Sequence, residues 1–294
     1  MQLDRTAFLN DIAMQLLPAC GELAEAKNQA WLLLEHVLGQ TKAQLLRSGL
    51  LTILPDQQEQ LAHLVHERVV NRKPLQYLLG SVLFADLTIA VRPPTLIPRP
   101  ETEEWVIWLI QALTAYGAQP QRILDLCTGS GCIALALAKA FPDAQVLGVD
   151  IAPEAVALAQ ANALHNNLTN TSFVCADLWQ GVPADEQYDL IVANPPYITA
   201  DEYEQLQPEV QAWEDPGALT APEQGLAVYK AISQKITKRI FKKNNPGDKC
   251  LPVMVLELGT DAVAVQAIFA DKGFAKLVLH EDLQGVARWL VGWI

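Results

Sequence analysis

The amino-acid sequence predicts an α/β protein with a doubly wound, mostly parallel sheet of seven strands, a small helical bundle before it and a β-hairpin joint between the two. From about residue 101 onward, β-rich runs alternate with helical runs. In residues 1–80, apolar residues recur at helical spacing instead. Residues 92–101 read RPPTLIPRPE, and a segment so rich in proline can be neither a helix interior nor a central strand, so it separates the two regions.

The N-terminal region, residues 1–80, is predicted to contain three helices. The third begins at Asp56 behind Pro55, and proline suits the first turn of a helix. No histidine in this region has metal-ligand spacing, and the region shows no other chemistry, so we expect it to be a substrate-docking domain. The apolar positions that recur at helical spacing are Leu3, Phe8, Ile12, Leu16, Leu17, Ala30, Leu33, Leu34, Val37, Leu38, Leu61, Leu64, Val65 and Val69.

The joint is predicted over residues 81–100. Residues 81–91, SVLFADLTIAV, alternate and are rich in β-formers, which predicts a short hairpin. The proline-rich segment follows it directly. The domain that carries the sheet then spans residues 101–294.

The sheet domain is predicted from alternating strand and helix patterns. The strands are predicted at 122–126, 145–150, 171–175, 188–193, 251–258, 275–280 and 287–291. The helices are predicted at 101–116, 133–140, 153–166, 225–243 and 261–272. The last two strands have no helix between them, so we expect an antiparallel hairpin at the end. Residues 242–249, KKNNPGDK, are polar and are predicted to form an exposed loop.

Charge, cysteine content and hydropathy indicate which partners and which cellular location to expect. The chain has 294 residues and a formal net charge of −12, whereas a protein on nucleic-acid backbone needs Lys and Arg, so no stable nucleic-acid partner is expected. The five cysteines have no CxxC spacing, which favours free thiols in a reducing compartment. The N-terminus lacks the apolar core of a signal peptide, and no apolar run reaches the roughly 18 residues of a membrane span. We therefore expect a cytoplasmic protein with no membrane partner.

Two motifs at predicted strand ends indicate a nucleoside site. Residues 125–131, DLCTGSG, lie between a strand and a helix, where Gly129 and Gly131 permit a tight turn and close approach of a ligand. Asp150 ends the next strand and can accept hydrogen bonds from two ribose hydroxyls. With Ala134 the same glycines also match the GxGxxA form of a dinucleotide fingerprint, so a nicotinamide dehydrogenase stays open at this point.

A third motif, NPPY at residues 194–197, directly follows the predicted strand 188–193. The prolines fix the turn, so that the Asn194 side chain and the Pro195 carbonyl face the cleft. An NH₂ group has two N–H donors, and these two oxygens could accept one each, which draws the nitrogen lone pair toward a methyl donor. Tyr197 offers an aromatic face on which a planar group can stack. The motif favours methylation of a planar amide or amine nitrogen over hydride transfer.

The three motifs together resemble the S-adenosylmethionine-dependent methyltransferases that act on exocyclic or amide nitrogen, which implies a Rossmann-like methyltransferase fold. NRKPLQYLLG (71–80), TLIPRPETE (95–103) and IVANPPYI (191–198) resemble the HemK/PrmC family more closely. These are protein-(glutamine-N5) methyltransferases of peptide chain release factors. TLIPRPETE is the specific part, and the regions occur in the family's order, so the resemblance covers nearly the whole chain.

The resemblance also implies the site residues. Those expected to bind the cofactor are Cys127, Thr128, Gly129, Ser130, Gly131, Asp150, Leu178, Trp179 and Asn194. Those expected to bind the substrate amide are Asn194, Pro195, Pro196 and Tyr197, with catalysis assigned to Asn194, Pro195 and Tyr197. Cys127 replaces the family's first loop glycine, and we expect a cysteine there to keep an ordinary φ. Either Leu178 or Trp179 is expected to face the adenine, because the family's Asp-Trp corresponds here to Asp177-Leu178-Trp179.

The activity that the resemblance implies is methyl transfer from S-adenosylmethionine to N5 of the glutamine in the Gly-Gly-Gln motif of class I release factors, which tunes translation termination. It implies direct in-line transfer by positioning and electrostatics, without a metal or a covalent intermediate. One alternative is a nucleic-acid adenine-N6 or guanine-N2 methyltransferase, because a base amine presents the same two N–H groups. Another is a non-catalytic module that docks on a translation factor.

Overall fold

The computed structural model describes residues 2–47, 49–184, 186–236, 240–241, 251–259, 261–282 and 284–294. The chain divides into two compact units: a helical unit of Met1–Gly80 with Gln207–Trp213, and a sheet unit of Ser81–Leu206 with Glu214–Ile294. The predicted loop at 242–249 and Cys250 lie outside the described residues. The predicted roles of segments 1–80, 81–100 and 101–294 stay predictions.

The secondary-structure elements are numbered in chain order. The helices are α1 Arg5–Cys20, α2 Leu23–Leu38, α3 Lys42–Leu45, α4 Pro55–Val69, α5 Leu75–Leu79, α6 Pro100–Ala115, α7 Cys132–Ala140, α8 Pro153–His165, α9 Ala200–Tyr203, α10 Pro208–Trp213, α11 Pro216–Leu219, α12 Ala227–Ser233 and α13 Ala262–Phe269. The strands are β1 Gln2–Asp4, β2 Leu50–Thr52, β3 Ser81–Phe84, β4 Leu87–Ala90, β5 Arg122–Leu126, β6 Gln145–Asp150, β7 Thr171–Cys175, β8 Leu190–Ala193, β9 Pro252–Glu257, β10 Lys276–Glu281 and β11 Ala287–Trp293.

The helical unit forms from amphipathic helices with clear end signals. The Asp4 side chain accepts a hydrogen bond from the Ala7 backbone N–H and so caps α1, while Gly39 ends α2 in the left-handed conformation. The predicted helices are present, except that Leu3 belongs to β1, which pairs antiparallel with β2. Together they enclose a core that includes Leu16, Leu33 and Leu34.

The segment Gln207–Trp213 completes the helical unit. Arg68 is 5% exposed, and its Nη2 donates to the Glu209 carboxylate at 3.1 Å. The Trp213 indole N–H donates to the Asn71 carbonyl at 2.9 Å. A buried guanidinium requires such a partner, so the unit is finished only by a segment far away in the sequence.

The sheet unit contains a seven-stranded sheet in the order β10-β11-β9-β8-β5-β6-β7. Strands β5 to β9 pair in parallel, and β11 pairs antiparallel with both β9 and β10. All residues of β8 and β9 are buried, as expected for strands that helices cover on both faces. The predicted doubly wound, mostly parallel fold with a terminal antiparallel hairpin is therefore confirmed.

The strand register brings the three sequence motifs to one edge. Leu126, the last residue of β5, lies beside Val149 of β6 on one side and Ala193 of β8 on the other. Because all three strands run in parallel, the loops that follow them leave the sheet side by side. These loops begin at Cys127, Ile151 and Asn194, directly after Asp150 in the case of β6.

The predicted hairpin at 81–91 is present as β3 and β4. Its two turn residues, Ala85 and Asp86, both have positive φ, of 47° and 59°, as a type I′ turn requires. The hairpin is attached to α8, because the Asn162 side chain accepts from the Ala90 N–H at 2.8 Å and donates to the Ala90 carbonyl at 3.1 Å. The hairpin thus folds as part of the sheet unit.

Several stretches differ from the predicted secondary structure. The helix predicted at 225–243 is shorter, since α12 ends at Ser233, and residues 237–239 and 242–243 lie outside the described residues. Helices α3, α5, α9, α10 and α11 were not predicted, because four to six residues are too few to show a period. Within the described ranges, each helix is either too short or too polar to cross a membrane.

Candidate active site

A cavity of about 280 Å³ opens at the carboxyl edge of the sheet unit, where the three motifs meet. It is lined by Pro94, Thr95, Leu96, Cys127, Gly129, Val149, Asp150, Ile151, Ala152, Glu154, Ala155, Asp177, Leu178, Asn194, Pro196, Asp215, Gly217, Ala218, Thr220 and Val228. Five of the residues predicted to bind the cofactor therefore lie on its wall: Cys127, Gly129, Asp150, Leu178 and Asn194.

The glycine-rich loop after β5 turns through left-handed conformations. Gly129 has φ 55° and Gly131 has φ 82°, and Cys127 has φ 60°. The expectation of an ordinary φ at Cys127 is therefore wrong: the cysteine adopts the conformation that glycine would take more cheaply. Burial raises the pKa of its thiol well above the ordinary value, so the sulfur remains a neutral part of the cavity wall.

Gly131 has a packing role instead of a place on the cavity wall. A Cβ at this position would lie 2.9 Å from the Ala159 Cβ of α8. The glycine thus allows the start of α7 to approach α8 closely.

Thr128 and Ser130 hold the loop from within. The Thr128 hydroxyl donates to the buried Asp125 carboxylate at 2.6 Å, and that carboxylate also accepts from the Ala134 N–H at 3.2 Å. Burial raises the pKa of Asp125 to about 7. The Ser130 carbonyl accepts from the Asn162 amide at 2.9 Å. Neither Thr128 nor Ser130 lines the cavity, so their predicted contact with a cofactor is not part of this geometry.

Asp150 connects two structural elements and still faces the cavity. Its Oδ2 accepts from the Gly129 N–H at 2.8 Å, and its Oδ1 accepts from the Ala152 N–H at 3.0 Å. Burial raises the pKa of this carboxyl, and the backbone hydrogen bonds partly oppose that effect. A carboxylate has four lone pairs and can accept more hydrogen bonds than the backbone supplies, so Asp150 can still bind a ligand hydroxyl.

The structure distinguishes Leu178 from Trp179. Leu178 lines the cavity and begins a short 3₁₀ helix, Leu178–Gly181, with φ 44°. The Trp179 indole N–H instead donates to the Ala231 and Ile232 carbonyls of α12, at 3.2 and 3.1 Å. Trp179 is therefore a packing residue, and Leu178 is the one of the two that gives the cavity wall an apolar surface.

The NPPY motif is divided between the cavity and the core. Asn194 and Pro196 line the cavity, whereas Pro195 is buried and does not line it, so the expected position of its carbonyl at the cleft stays a prediction. Tyr197 does not line it: its ring packs where a Cβ on Gly259 would be 2.6 Å away, and its hydroxyl lies 3.5 Å from Glu257 Oε1. The expected stacking surface is therefore turned away from the cavity in this structure.

Sequence reasoning missed a buried polar cluster behind Asn194. The Thr102 hydroxyl and the Trp105 indole N–H both donate to Glu257 Oε2, at 2.6 and 2.8 Å. The Asn194 Nδ2 donates to the Thr102 hydroxyl oxygen at 3.2 Å. Thr102 lies within TLIPRPETE, so the family-specific phrase was the signal that could have pointed to this cluster.

The same phrase contributes to the cavity wall. Arg99 binds both carboxylate oxygens of the buried Glu214 at 2.7 Å, and the Asp215 N–H donates to the Pro94 carbonyl at 2.8 Å. Two segments that line the cavity, at residues 94–96 and 215–220, are thereby held together. Both contacts come from the Arg99 Nη2 atom, and hydrogen bonds between two charged groups are stronger than those between neutral groups.

The charge of the cavity selects the kind of ligand. Four lining side chains are acidic, and no lysine, arginine or histidine lines the cavity among the residues that the structure describes. An acidic wall favours a cationic ligand and disfavours the pyrophosphate of a dinucleotide, which argues against the nicotinamide alternative. The acidic residues are Asp150, Glu154, Asp177 and Asp215.

Comparison with known proteins adds independent findings. A model of the methyltransferase small domain matches residues 107–209, and a model of the PrmC N-terminal domain matches residues 11–80. The release factor glutamine methyltransferase of Thermodesulfovibrio yellowstonii is 36% identical, over 87% of this chain and 88% of its own. That of Salmonella typhimurium is 36% identical, over 90% of this chain and 91% of its own.

Among solved structures, the catalytic domain of hMettl16, in complex with a 3′UTR hairpin, superposes with a TM-score of 0.53 over 84% of each chain. The identity is 18%. This likeness shows a shared methyltransferase fold and nothing finer.

Proposed function

Since the chain belongs to the release factor glutamine methyltransferase family, we propose that it transfers a methyl group to N5 of the glutamine in the Gly-Gly-Gln motif of class I peptide chain release factors. It is an S-adenosylmethionine-dependent methyltransferase. The observation that carries the proposed substrate is Asn194, an amide acceptor held on the wall of an acidic cavity beside Asp150 and the glycine loop. Methylation at this glutamine would tune translation termination.

The cavity residues fit the cofactor. S-adenosylmethionine, when bound, supplies a methyl group on a positively charged sulfonium, which needs no metal for activation. The four lining carboxylates suit that positive charge. Asp150 retains lone pairs for the ribose hydroxyls, Gly129 allows close approach of the backbone, and Leu178 offers an apolar surface for the adenine.

The substrate amide would be held by two oxygens of the NPPY motif. The Asn194 Oδ1 and the Pro195 carbonyl would each accept one N–H of the glutamine NH₂ group. Holding both hydrogens directs the nitrogen lone pair toward the methyl group, and most of the catalytic effect is then positioning and electrostatics. Tyr197 would support the turn from behind, since the Tyr197 and Ile198 N–H groups donate to the Leu219 carbonyl at 3.1 and 2.9 Å.

The helical unit would supply a second contact with the release factor. A glutamine on a short loop buries too little surface for tight binding. Within residues 46–54 of the helical unit, Leu46, Leu50 and Leu54 are 50%, 52% and 53% exposed. Exposed leucines of this kind suit a protein partner. The cytoplasmic location expected from the sequence stays a prediction.

The decisive experiment is mass spectrometry of a class I release factor after incubation with the protein and S-adenosylmethionine that carries a deuterated methyl group. We expect one labelled methyl group on the glutamine of Gly-Gly-Gln, and none when that glutamine is replaced by glutamate. Labelling of RNA or DNA in place of the factor would contradict the proposal and favour the nucleic-acid alternative. The net charge of −12 favours the protein substrate.

A further inference from the structure

The side-chain amide of Asn194 has two ends that resemble each other in shape and differ in chemistry. Only its oxygen can accept a hydrogen bond from a substrate N–H, and its NH₂ end would repel one. A reversed amide would therefore present the wrong group to the proposed substrate. Some feature of the protein must choose between the two orientations.

Thr102 and Glu257 supply that choice. The Thr102 hydroxyl has a single hydrogen, which it donates to Glu257 Oε2 at 2.6 Å. Its oxygen can then only accept, and the group 3.2 Å from it must be the Asn194 NH₂. The Asn194 oxygen is consequently left to face the cavity.

Trp105 makes the direction of this chain of hydrogen bonds independent of the Glu257 charge. An indole N–H can only donate, and it reaches Oε2 at 2.8 Å. Oε2 thus receives two donors, so a carboxyl proton, when present, lies on Oε1, which faces the Tyr197 hydroxyl at 3.5 Å. Burial raises the pKa of Glu257, and the Thr102 hydrogen still points to Oε2 in either charge state.

The cluster is shielded from water, which would otherwise satisfy either orientation. Thr102 is 2% exposed, Glu257 is 4% exposed and Trp105 is fully buried. A buried polar group without a hydrogen-bond partner is costly, so the reversed amide is strongly disfavoured.

We propose that Thr102 and Glu257 are positioning residues for methyl transfer, which fix the Asn194 amide with its oxygen toward the substrate nitrogen. This inference rests on the proposed function, because it assumes an N–H donor as substrate. The inference also assigns a chemical role to the phrase TLIPRPETE, because Thr102 is its eighth residue.

The first test compares Thr102→Val with Thr102→Ser in the full-length protein. Valine keeps the shape and removes the hydroxyl, so we expect kcat on the release factor to fall about tenfold, the value of one hydrogen bond of about 1.4 kcal/mol. The dissociation constant of S-adenosylmethionine should stay unchanged, and Thr102→Ser should recover most of kcat. A Thr102→Val enzyme with wild-type kcat, or a Thr102→Ser enzyme as slow as Thr102→Val, would overturn the inference.

The second test approaches the cluster from Glu257 and does not depend on Thr102→Val folding. Glu257→Gln keeps an oxygen for Trp105 and Thr102, because the indole N–H selects the carbonyl end. Glu257→Met removes that acceptor and frees the Thr102 hydrogen to donate to the Asn194 oxygen, which would reverse the amide. We expect Glu257→Met to lose at least about tenfold more kcat than Glu257→Gln. Equal losses in the two variants would mean that Glu257 has only a structural role.

Nuclear magnetic resonance of the Asn194 side-chain NH₂ separates orientation from stability. In the wild type one of its hydrogens is bound to Thr102, and its resonance should move in Thr102→Val and in Glu257→Met but not in Glu257→Gln. An unmoved resonance in Glu257→Met would contradict the inference. Failure of the wild type to methylate any release factor would instead refute the proposed function, so the two failures are distinguishable.

Discussion

The Oδ2 atom of Asp150 lies 2.8 Å from the backbone nitrogen of Gly129, so the acid at the end of β6 holds the glycine turn that follows β5. Its Oδ1 binds the Ala152 N–H at the start of α8 in the same way. The residue expected to bind the ribose is therefore also part of the cavity's frame.

Replacing Asp150 should weaken the binding of the cofactor. In Asp150→Ala both ribose contacts and the Gly129 contact are lost, and charge-assisted hydrogen bonds are worth roughly 1.5–3 kcal/mol, so we expect the dissociation constant of S-adenosylmethionine to rise about 10- to 100-fold by calorimetry. Asp150→Asn is the matched control, since its remaining oxygen can still hold Gly129, and its loss should be smaller. An unchanged constant in a folded Asp150→Ala protein would remove Asp150 from the cofactor site.

Replacing Asn194 should lower the turnover rate far more than it weakens the binding of S-adenosylmethionine. Asn194→Ala removes the acceptor proposed for the substrate amide, and loss of one preorganised contact costs about 100-fold or more in kcat. The dissociation constant of S-adenosylmethionine should change by less than a few-fold, because Asp150 and the glycine loop remain. Kinetics on the release factor with saturating cofactor would measure this. Turnover within a few-fold of the wild type would exclude the amide clamp.

Asp125 should make the stability of the fold depend on pH. Its folded pKa of about 7 lies above the ordinary 3.8, so its contribution to the free energy of unfolding is fully present below about pH 3.8 and is lost as the pH rises through 7. The Asp125→Asn side chain cannot ionise, so the variant lacks this pH-dependent contribution to the free energy of unfolding. Urea unfolding of both proteins should show their difference changing by roughly 3 kcal/mol between pH 5 and pH 8. Parallel pH curves would mean that Asp125 stays ionised throughout.

The exposed leucines of the helical unit should contribute to recognition of the whole release factor and not to methylation of a short peptide. Replacing Leu46, Leu50 and Leu54 together by lysine should raise KM for the factor at least about fivefold, with kcat and the methylation of a Gly-Gly-Gln peptide unchanged. A double replacement of Leu164 and Val263 by lysine is the control, because these side chains are 80% and 70% exposed on the sheet unit. Equal effects of the two variants would refute a specific docking role.

Much of the fold was predictable because the strands are short and lie between turn signals. The predicted strands 122–126 and 145–150 coincide with β5 and β6, since apolar runs between turn signals leave little freedom of assignment. The predicted strand 171–175 coincides with β7, although only Phe173 of that strand is buried. The short helices around the NPPY loop were not predictable in this way. They depend on single capping contacts, such as the Asp215 carboxylate on the Gly217 N–H, which have no period.

The site was predictable to the level of motifs and not to the level of side-chain direction. Gly129, Asp150 and Asn194 line the cavity as their positions at strand ends indicate. Tyr197 and Trp179 were predicted site residues as well, yet both rings pack against the core, because packing partners far away in sequence determine where a ring lies. The contact between Thr102 and Glu257 spans 155 positions, and no local pattern encodes it.

The helical unit begins the chain and is synthesised first, but it becomes complete only late in synthesis. Arg68 must wait for Glu209, which is synthesised 141 residues later, or roughly 7–30 s at ordinary rates of elongation. Until then the first 80 residues hold a guanidinium at a buried position without its carboxylate, which is costly. The nascent helical unit should therefore reach its final stability only after β5 to β8 have been made, and a fragment of residues 1–80 should be less stable than the same residues in the full-length chain.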